Sequence, residues 1–185
     1  MKNSYQNNQT GCNTVPMPFT LSSDGAISLF EDILNRGLIV RVKATGSSMS
    51  PFLSGGEILT IQKVPYSSLQ IGDLIFYKTR EGFPLLHRII RKQQEKDMFI
   101  LQTKGDALIT MDEPTTEHDI LGKVCRIEKS LAAGTTKHIN MESPYWRSIN
   151  YLLAVMSLSK FKIHYILVRN SLYSSCRCVI KKVFM

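Results

Sequence analysis

The spacing of hydrophobic residues along the chain changes near residue 37. Before that point, apolar side chains recur at helical spacing and would share one face: Ile27, Phe30, Ile33 and Leu34. This pattern, ended by Gly37, predicts a short helix over residues 24–36. From residue 38 to about residue 140 the apolar residues instead alternate in short runs, which is typical of β-strands.

Six runs are predicted as strands: Leu38–Ala44, Glu57–Lys63, Asp73–Thr79, Leu85–Arg91, Met98–Thr103 and Leu121–Glu128. Turn-forming pairs separate them, among them Gly55-Gly56, Glu81-Gly82 and Gly105-Asp106. Several short strands at this spacing favour a mainly β domain that is coiled and partly barrel-like. We expect the short helix before it and a helical tail after it.

The two ends of the chain differ from this central region. Residues 1–20 are polar and contain Pro16 and Pro18, so we expect them to be disordered. The β domain is then assigned to residues 21–140, and residues 141–185 form a basic amphipathic helical tail. Leu152, Leu153, Val155 and Met156 are expected to line one helical face. Two interpretations stay open: a helix packed on the β domain, or one lying on a membrane surface.

Charge is concentrated in the tail. The chain has a formal net charge of +8. Residues 141–185 contain seven of its Lys and Arg residues and a single acidic residue, Glu142. Such a segment can attract anionic lipid or nucleic acid. No nucleic-acid motif accompanies it, so we expect peripheral membrane contact and no nucleic-acid partner.

Targeting signals and cysteine usage indicate the compartment. The N-terminal residues have no apolar segment of a secretory signal, and no apolar run is long enough to span a bilayer. The four cysteines, Cys12, Cys125, Cys176 and Cys178, form neither a disulfide framework nor a paired metal motif. A reducing, cytoplasmic location is expected, with peripheral contact at the membrane, and with neither a cofactor nor a metal.

The first candidate catalytic residue is Ser48. It follows a predicted strand and lies among small residues, in Gly46-Ser47-Ser48-Met49-Ser50-Pro51. A serine hydroxyl becomes a useful nucleophile when a neighbouring base takes its proton. His87, in a second predicted strand, is a suitable base. A carboxylate that orients the imidazole would complete the set, and Asp106 and Asp112 are both candidates. Their spacing alone does not decide between them.

The same residues carry a family resemblance. Gly46–Pro51 resembles the serine box of the signal peptidase I superfamily, which includes self-cleaving SOS-type repressors. Gly72-Asp73-Leu74-Ile75 and His87-Arg88-Ile89-Ile90 are similar to the boxes that follow it, with histidine as the base as in the archaeal and endoplasmic-reticulum-type branch. Thr103–Asp112 and Ile120–Val124 resemble the closing boxes. The resemblance implies Ser48 as nucleophile, His87 as general base, and Asp106 and Asp112 as acidic partners.

Two departures from the family pattern keep other functions open. Gly46 replaces the usual serine two positions before the nucleophile, and the N-terminal membrane anchor of the family is not found in this chain. The main hypothesis is a serine endopeptidase that cleaves a precursor or leader peptide. A weak or inactive binding module on the same fold is the alternative. A self-cleaving regulator, cut at Ala133-Gly134, is a third.

Overall fold

The computed structural model describes residues 15–16, 24–95, 98–131 and 134–159. The predicted mainly β fold is confirmed, with one sheet flanked by helices α1 (Asp24–Asn35) and α2 (residues 144–159). Single 3-10 turns occur at Tyr66–Ser68 and Glu117–Asp119. The strands are β1 (Val15–Pro16), β2 (Val40–Lys43), β3 (Ile58–Gln62), β4 (Leu74–Lys78), β5 (Pro84–Glu95), β6 (Met98–Lys104), β7 (Thr115–Thr116), β8 (Ile120–Ser130) and β9 (Thr136–Asn140).

Strand β8 organises the sheet. The strand order is β1-β2-β3-β8-β4-β5-β6-β7, with β9 also paired to β8. All neighbouring strands are antiparallel except β1 and β2, which are parallel. Strand β8 is therefore hydrogen-bonded to β3 on one edge, and to β4 and then β9 on the other. Within the described residues no pairing joins β1 to β7, so the sheet is open.

Both faces of β4 are buried, which accounts for its uninterrupted apolar run. Leu74 and Phe76 belong to one hydrophobic cluster, together with α1, β2, β3 and β8. Ile75 and Tyr77 belong to a second cluster, with Ile89 from β5 and residues of neighbouring strands. Because side chains alternate between the faces of a strand, β4 joins two cores.

Helix α1 closes the first core. Its buried side chains are Ile27, Phe30 and Leu34, the residues whose spacing predicted the helix. The ring of Phe30 lies 5.8 Å from that of Phe76. The helix ends just before Gly37, as the sequence predicts. Gly37 adopts a positive φ of 75°, which glycine reaches at low cost.

Helix α2 lies against the turn that precedes β4. Asn150, Ala154 and Ser157 are its buried side chains. A side-chain carbon placed on Gly72 would lie 2.6 Å from the backbone carbon of Asn150, so the helix backbone contacts this glycine directly. Of the predicted disordered segment only Val15 and Pro16 are described, and the tail beyond residue 159 lies outside the described residues.

Candidate active site

Ser48 lies in the loop that connects β2 to β3. Two side chains of this loop, Met49 and Leu53, are buried in the first hydrophobic cluster and anchor it. A backbone hydrogen bond from Ser50 to Ser47 closes the turn around Ser48. Gly46 has a φ of 83°, in the left-handed region that favours glycine. The chain therefore turns sharply at Gly46, just before Ser48. The residue after Ser48, Met49, anchors the loop in the first hydrophobic cluster.

His87 brings Ser48 and Asp112 together. It is an almost fully buried residue of β5, with 2% of its surface exposed. Its Nε2 lies 3.0 Å from Ser48 Oγ, and its Nδ1 lies 2.6 Å from Asp112 Oδ2. When Nδ1 donates its proton to the carboxylate, Nε2 is free to accept the proton of the serine hydroxyl. This is the arrangement of a serine, a base and an orienting acid.

Asp112 is held by several donors. Its backbone N–H donates to Thr103 O, and the Thr103 hydroxyl donates to Asp112 Oδ2 at 2.7 Å. Burial alone raises the pKa of the Asp112 carboxyl, but hydrogen bonds from His87, Thr103 and Tyr77 and the charge of His87 outweigh burial. They hold the Asp112 pKa below its ordinary value. The carboxylate therefore stays ionised beside the imidazole.

Tyr77 extends this network into the second core. Its hydroxyl lies 3.0 Å from Thr103 Oγ1. Burial raises the pKa of Tyr77 far above its ordinary value, so the phenol keeps its proton beside Thr103 and Asp112.

Asp106 occupies a different position. Both of its carboxylate oxygens accept hydrogen bonds from Arg88, from Nε at 2.8 Å and from Nη2 at 2.7 Å. His87 and Arg88 are consecutive in β5, so their side chains point to opposite faces of the strand. Of the two aspartates that the sequence left open, Asp112 contacts His87, and Asp106 neutralises a buried arginine.

The loop that follows β6 also holds Ser48. The backbone N–H of Ala107 donates to Ser48 O at 2.9 Å. A side-chain carbon on Gly105 would lie 2.7 Å from the same Ser48 oxygen, closer than packed atoms approach. Gly105 is therefore required where the two loops cross. A larger residue at position 105 would push the backbone of Ser48 away.

Helix α2 supports the back of the β5–β6 pair. Arg88 and Lys104 are directly paired across these strands, and both are fully buried. Arg88 Nη1 donates to Asn150 Oδ1 of α2 at 2.9 Å and to Gly72 O at 2.8 Å. Lys104 Nζ donates to Ser157 Oγ. The polar side chains of α2 thus bind the residues that follow His87 and Thr103.

A groove opens beside Ser48. It has a volume of about 630 Å³, and its walls come from the end of β2, the serine loop and the start of β5. Val42, Ala44, Leu59, Phe76 and Leu86 make it mainly apolar. The groove therefore presents an apolar surface directly beside the serine.

Several residues of the site carried no sequence signal of their own. Thr103, Tyr77 and Asn150 are ordinary strand and helix residues until the fold brings them to Asp112 and Arg88. Thr103 begins the Thr103–Asp112 segment that resembles a family box, but nothing in the sequence linked its side chain to Asp112. Ala133 of the predicted self-cleavage bond lies outside the described residues.

Metal sites and membrane spans were searched within the described part of the chain. No group of three or more His, Cys, Asp and Glu side chains there is arranged to hold a metal ion. None of the helices in the same residues has the length and apolar character needed to cross a membrane.

Comparison with known proteins gives one partial similarity. The chain is 33% identical over 66 residues to the signal peptidase complex catalytic subunit SEC11 of Clavispora lusitaniae (strain ATCC 42720). The similar region is 35% of this chain and 39% of that protein. The chain therefore spans well under half of the relative it matches. No protein-family model matches it. At this coarse level, the chain is similar to a signal peptidase catalytic subunit.

Proposed function

We propose that this protein is a serine endopeptidase related to signal peptidases, with Ser48 as nucleophile and His87 as general base. Asp112 orients the base. The observation that carries the proposal is the position of His87, 3.0 Å from Ser48 Oγ and 2.6 Å from Asp112 Oδ2. A non-catalytic module on this fold has no need for a histidine within hydrogen-bond reach of the serine, so these distances favour the enzyme.

The proposed reaction begins when Ser48 Oγ attacks the carbonyl carbon of a peptide bond. His87 Nε2 accepts the hydroxyl proton, and Asp112 stabilises the imidazolium that forms. The imidazolium then gives that proton to the leaving amine, the carbon–nitrogen bond breaks, and an ester to Ser48 remains. Water attacks the ester with His87 again as base, which releases the acid and restores the serine.

The oxyanion of this reaction would be stabilised by backbone N–H groups. Gly46 has no side chain that can donate a hydrogen bond to it. Within the described residues, the backbone N–H of Ser48 has no protein acceptor, so it remains available to the substrate. Oxyanion donors of this kind contribute roughly 10²–10³ in kcat each. We expect slower turnover than in a site with an added side-chain donor.

The proposed substrate is an extended segment of a precursor or leader peptide. The groove beside Ser48 is bordered by β2, and β1 already pairs in parallel with β2 at Val40 and Arg41. This edge therefore accepts an added strand. A peptide that continues the same pairing toward Ser48 would place its carbonyl beside the nucleophile by β-augmentation.

Labelling with a fluorophosphonate probe tests the proposal, because the probe reacts with an activated serine. We expect the wild-type protein to be labelled and Ser48→Ala and His87→Ala to be unlabelled. Ser47→Ala, next to the nucleophile, is the matched control and should label like the wild type. Equal labelling of Ser48→Ala and the wild type would exclude Ser48 as nucleophile.

A further inference from the structure

Helix α2 presents an apolar face to solvent. Five of its large apolar side chains are between 41% and 69% exposed: Tyr145, Tyr151, Leu152, Val155 and Met156. At 3.6 residues per turn these side chains share one side of the helix, opposite Asn150, Ala154 and Ser157. The only charged residue between 144 and 159 is Arg147, which lies outside this face and 4.0 Å from Glu142.

A cavity of about 470 Å³ adjoins this face. Trp146, Ile149, Leu153 and Met156 of α2 form its apolar wall, and Lys129 and Lys137 also line it. Lys137 Nζ lies 6.0 Å from the centre of the Trp146 ring, and Lys129 Nζ lies 3.6 Å from Glu57 Oε1. Asp106 also lines the cavity, and its carboxylate is bound by Arg88. The cavity therefore combines apolar side chains with two lysines, one of which is already paired with a carboxylate.

We propose that the exposed face of α2 and this adjoining cavity bind an anionic lipid bilayer. The apolar wall would take acyl chains, and Lys129 and Lys137 would lie near the anionic headgroups. This surface is separate from the Ser48–His87–Asp112 geometry, so the proposal stands whether or not the protein is a peptidase.

Charge favours a bilayer over two other occupants. Residues 160–185 contain six Lys and Arg residues and no acidic residue, so covering the cavity with this segment would bring like charges together. A second copy of the chain would do the same, because each copy carries a net charge of +8. An anionic membrane attracts the two lysines and the following basic segment at once.

The surface also relates the bilayer to the serine loop. Pro51 and Phe52, which directly follow the Gly46–Ser50 turn, line the cavity. Bound lipid would therefore lie within a few residues of Ser48 along the chain, next to the loop that borders the groove. A peptide leaving the membrane surface would then need little additional reach to enter that groove.

Trp146 makes the proposal directly measurable, because it is the only tryptophan of the chain and lines the cavity. The full-length protein is mixed with vesicles of phosphatidylcholine, alone or with phosphatidylglycerol, in which some acyl chains are brominated. We expect flotation with the anionic vesicles and quenching of Trp146 fluorescence by the brominated chains. High salt should weaken both effects.

The variant that tests the surface is Leu152→Asp with Val155→Asp, which keeps the packed side of α2. We expect its vesicle affinity to fall about tenfold or more and its Trp146 quenching to be lost. The control replaces two exposed apolar residues elsewhere, Leu29→Asp with Phe83→Asp, and should behave like the wild type. Circular dichroism and thermal melting confirm that both variants are folded.

Four results would overturn the proposal. The first is binding of the wild type to anionic vesicles without Trp146 quenching, and the second is full quenching in the α2 variant. The third is a concentration-dependent dimer, detected by sedimentation, that the α2 variant abolishes, because this would assign the surface to a second copy. The fourth is equal affinity for vesicles with and without phosphatidylglycerol, because the proposed bilayer is anionic.

Discussion

Two aspartates six positions apart have opposite roles in this structure. Asp112 contacts His87 and keeps its charge through donors on three sides. Asp106 forms a bidentate ion pair with Arg88, which is fully buried. A buried charge that loses its partner is strongly destabilising, so the carboxylate of Asp106 stabilises the fold, whereas that of Asp112 contacts the histidine of the proposed site.

The isosteric changes Asp112→Asn and Asp106→Asn should therefore have different effects. We expect Asp112→Asn to fold and to lose roughly 10⁴ in turnover, because the imidazole is then held in the wrong tautomer. Asp106→Asn should lower the free energy of unfolding by about 3–5 kcal/mol, because Arg88 stays buried with a neutral partner. Probe-labelling rates and urea unfolding measure the two effects. The reverse pattern would contradict the assignment.

The lowered pKa of Asp112 makes stability depend on acidity. In the folded protein the pKa of Asp112 lies below its ordinary value of 3.8. At a pH between the folded and the unfolded pKa, the unfolded chain therefore binds more protons at this group than the folded protein does. Stability from this group is complete above about pH 4 and is lost as pH falls through the folded pKa. Urea unfolding between about pH 5 and pH 3 should show a smaller decline for Asp112→Asn than for the wild type.

At the scale of elements, the position of Ser48 depends on the crossing of two loops. The Gly105 backbone passes so close to Ser48 O that it leaves no room for a side chain. Gly105 and Gly72 thus allow two close contacts between separate elements, one at the serine loop and one at α2.

Gly105→Ala should displace Ser48 and reduce probe labelling by roughly 10²-fold, because small misplacements of a catalytic group have effects of this size. Gly25→Ala in α1 is the control: an added side-chain carbon there contacts nothing within 4 Å. It should label at the wild-type rate. Unchanged labelling of Gly105→Ala would show that the two loops can accommodate the added side-chain carbon.

Gly72→Ala should loosen helix α2, because the new side-chain carbon would overlap the backbone of Asn150. Gly82 is a matched control, since it also has a positive φ, 86° against 99°, but its added carbon would meet only the end of the Lys78 side chain. We expect Gly72→Ala to lose about 1–3 kcal/mol more unfolding free energy than Gly82→Ala. Equal losses would mean that strain at positive φ, rather than the α2 contact, dominates.

At the scale of the whole molecule, β4 joins two hydrophobic cores into one structure. Leu74 is buried in the first core and Ile75 in the second, and both are fully inaccessible to solvent. The loop that carries Ser48 is anchored in the first core, whereas Thr103 and Tyr77, which support Asp112, lie toward the second. The site therefore depends on both cores.

Ile75→Ala should destabilise both cores together. We expect a loss of about 2–5 kcal/mol for removing this buried side chain. Trp146 packs against the first core, so its fluorescence reports on the cluster that does not contain Ile75. The urea midpoint measured by Trp146 fluorescence should fall together with the midpoint measured by far-ultraviolet circular dichroism. Separate midpoints would show that the cores unfold independently.

Sequence patterns predicted α1 and six of the strands because each has its own apolar periodicity. The short strands β1, β7 and β9 were missed, and β5 runs on to Glu95 through polar residues whose pairing with β6 leaves no apolar pattern. In α2 the predicted apolar residues Leu152, Val155 and Met156 face solvent. Its packed face is partly polar, because it must bind Arg88 and Lys104. Helical periodicity cannot reveal such a partner.

The site was predictable to the level of residue types. Ser48, His87 and an aspartate formed a chemically sensible set, but the choice of Asp112 required the β5–β6 pairing and the Thr103 contact. Arg88 follows His87 directly, yet its tie to Asp106 depends on long-range packing. Charge partners of this kind are determined by the fold rather than by local sequence.

The central place of β8 in the sheet has a consequence for synthesis on the ribosome. Among the described residues, strand β3, which follows the serine loop, and β4, which precedes His87, are joined by backbone pairing only through β8 (Ile120–Ser130). While the protein is being made, Ser48 and His87 therefore belong to separate pieces until residues 120–130 have emerged. We expect a growing chain to lack the Ser48–His87 contact, and labelling by the fluorophosphonate probe, before that moment.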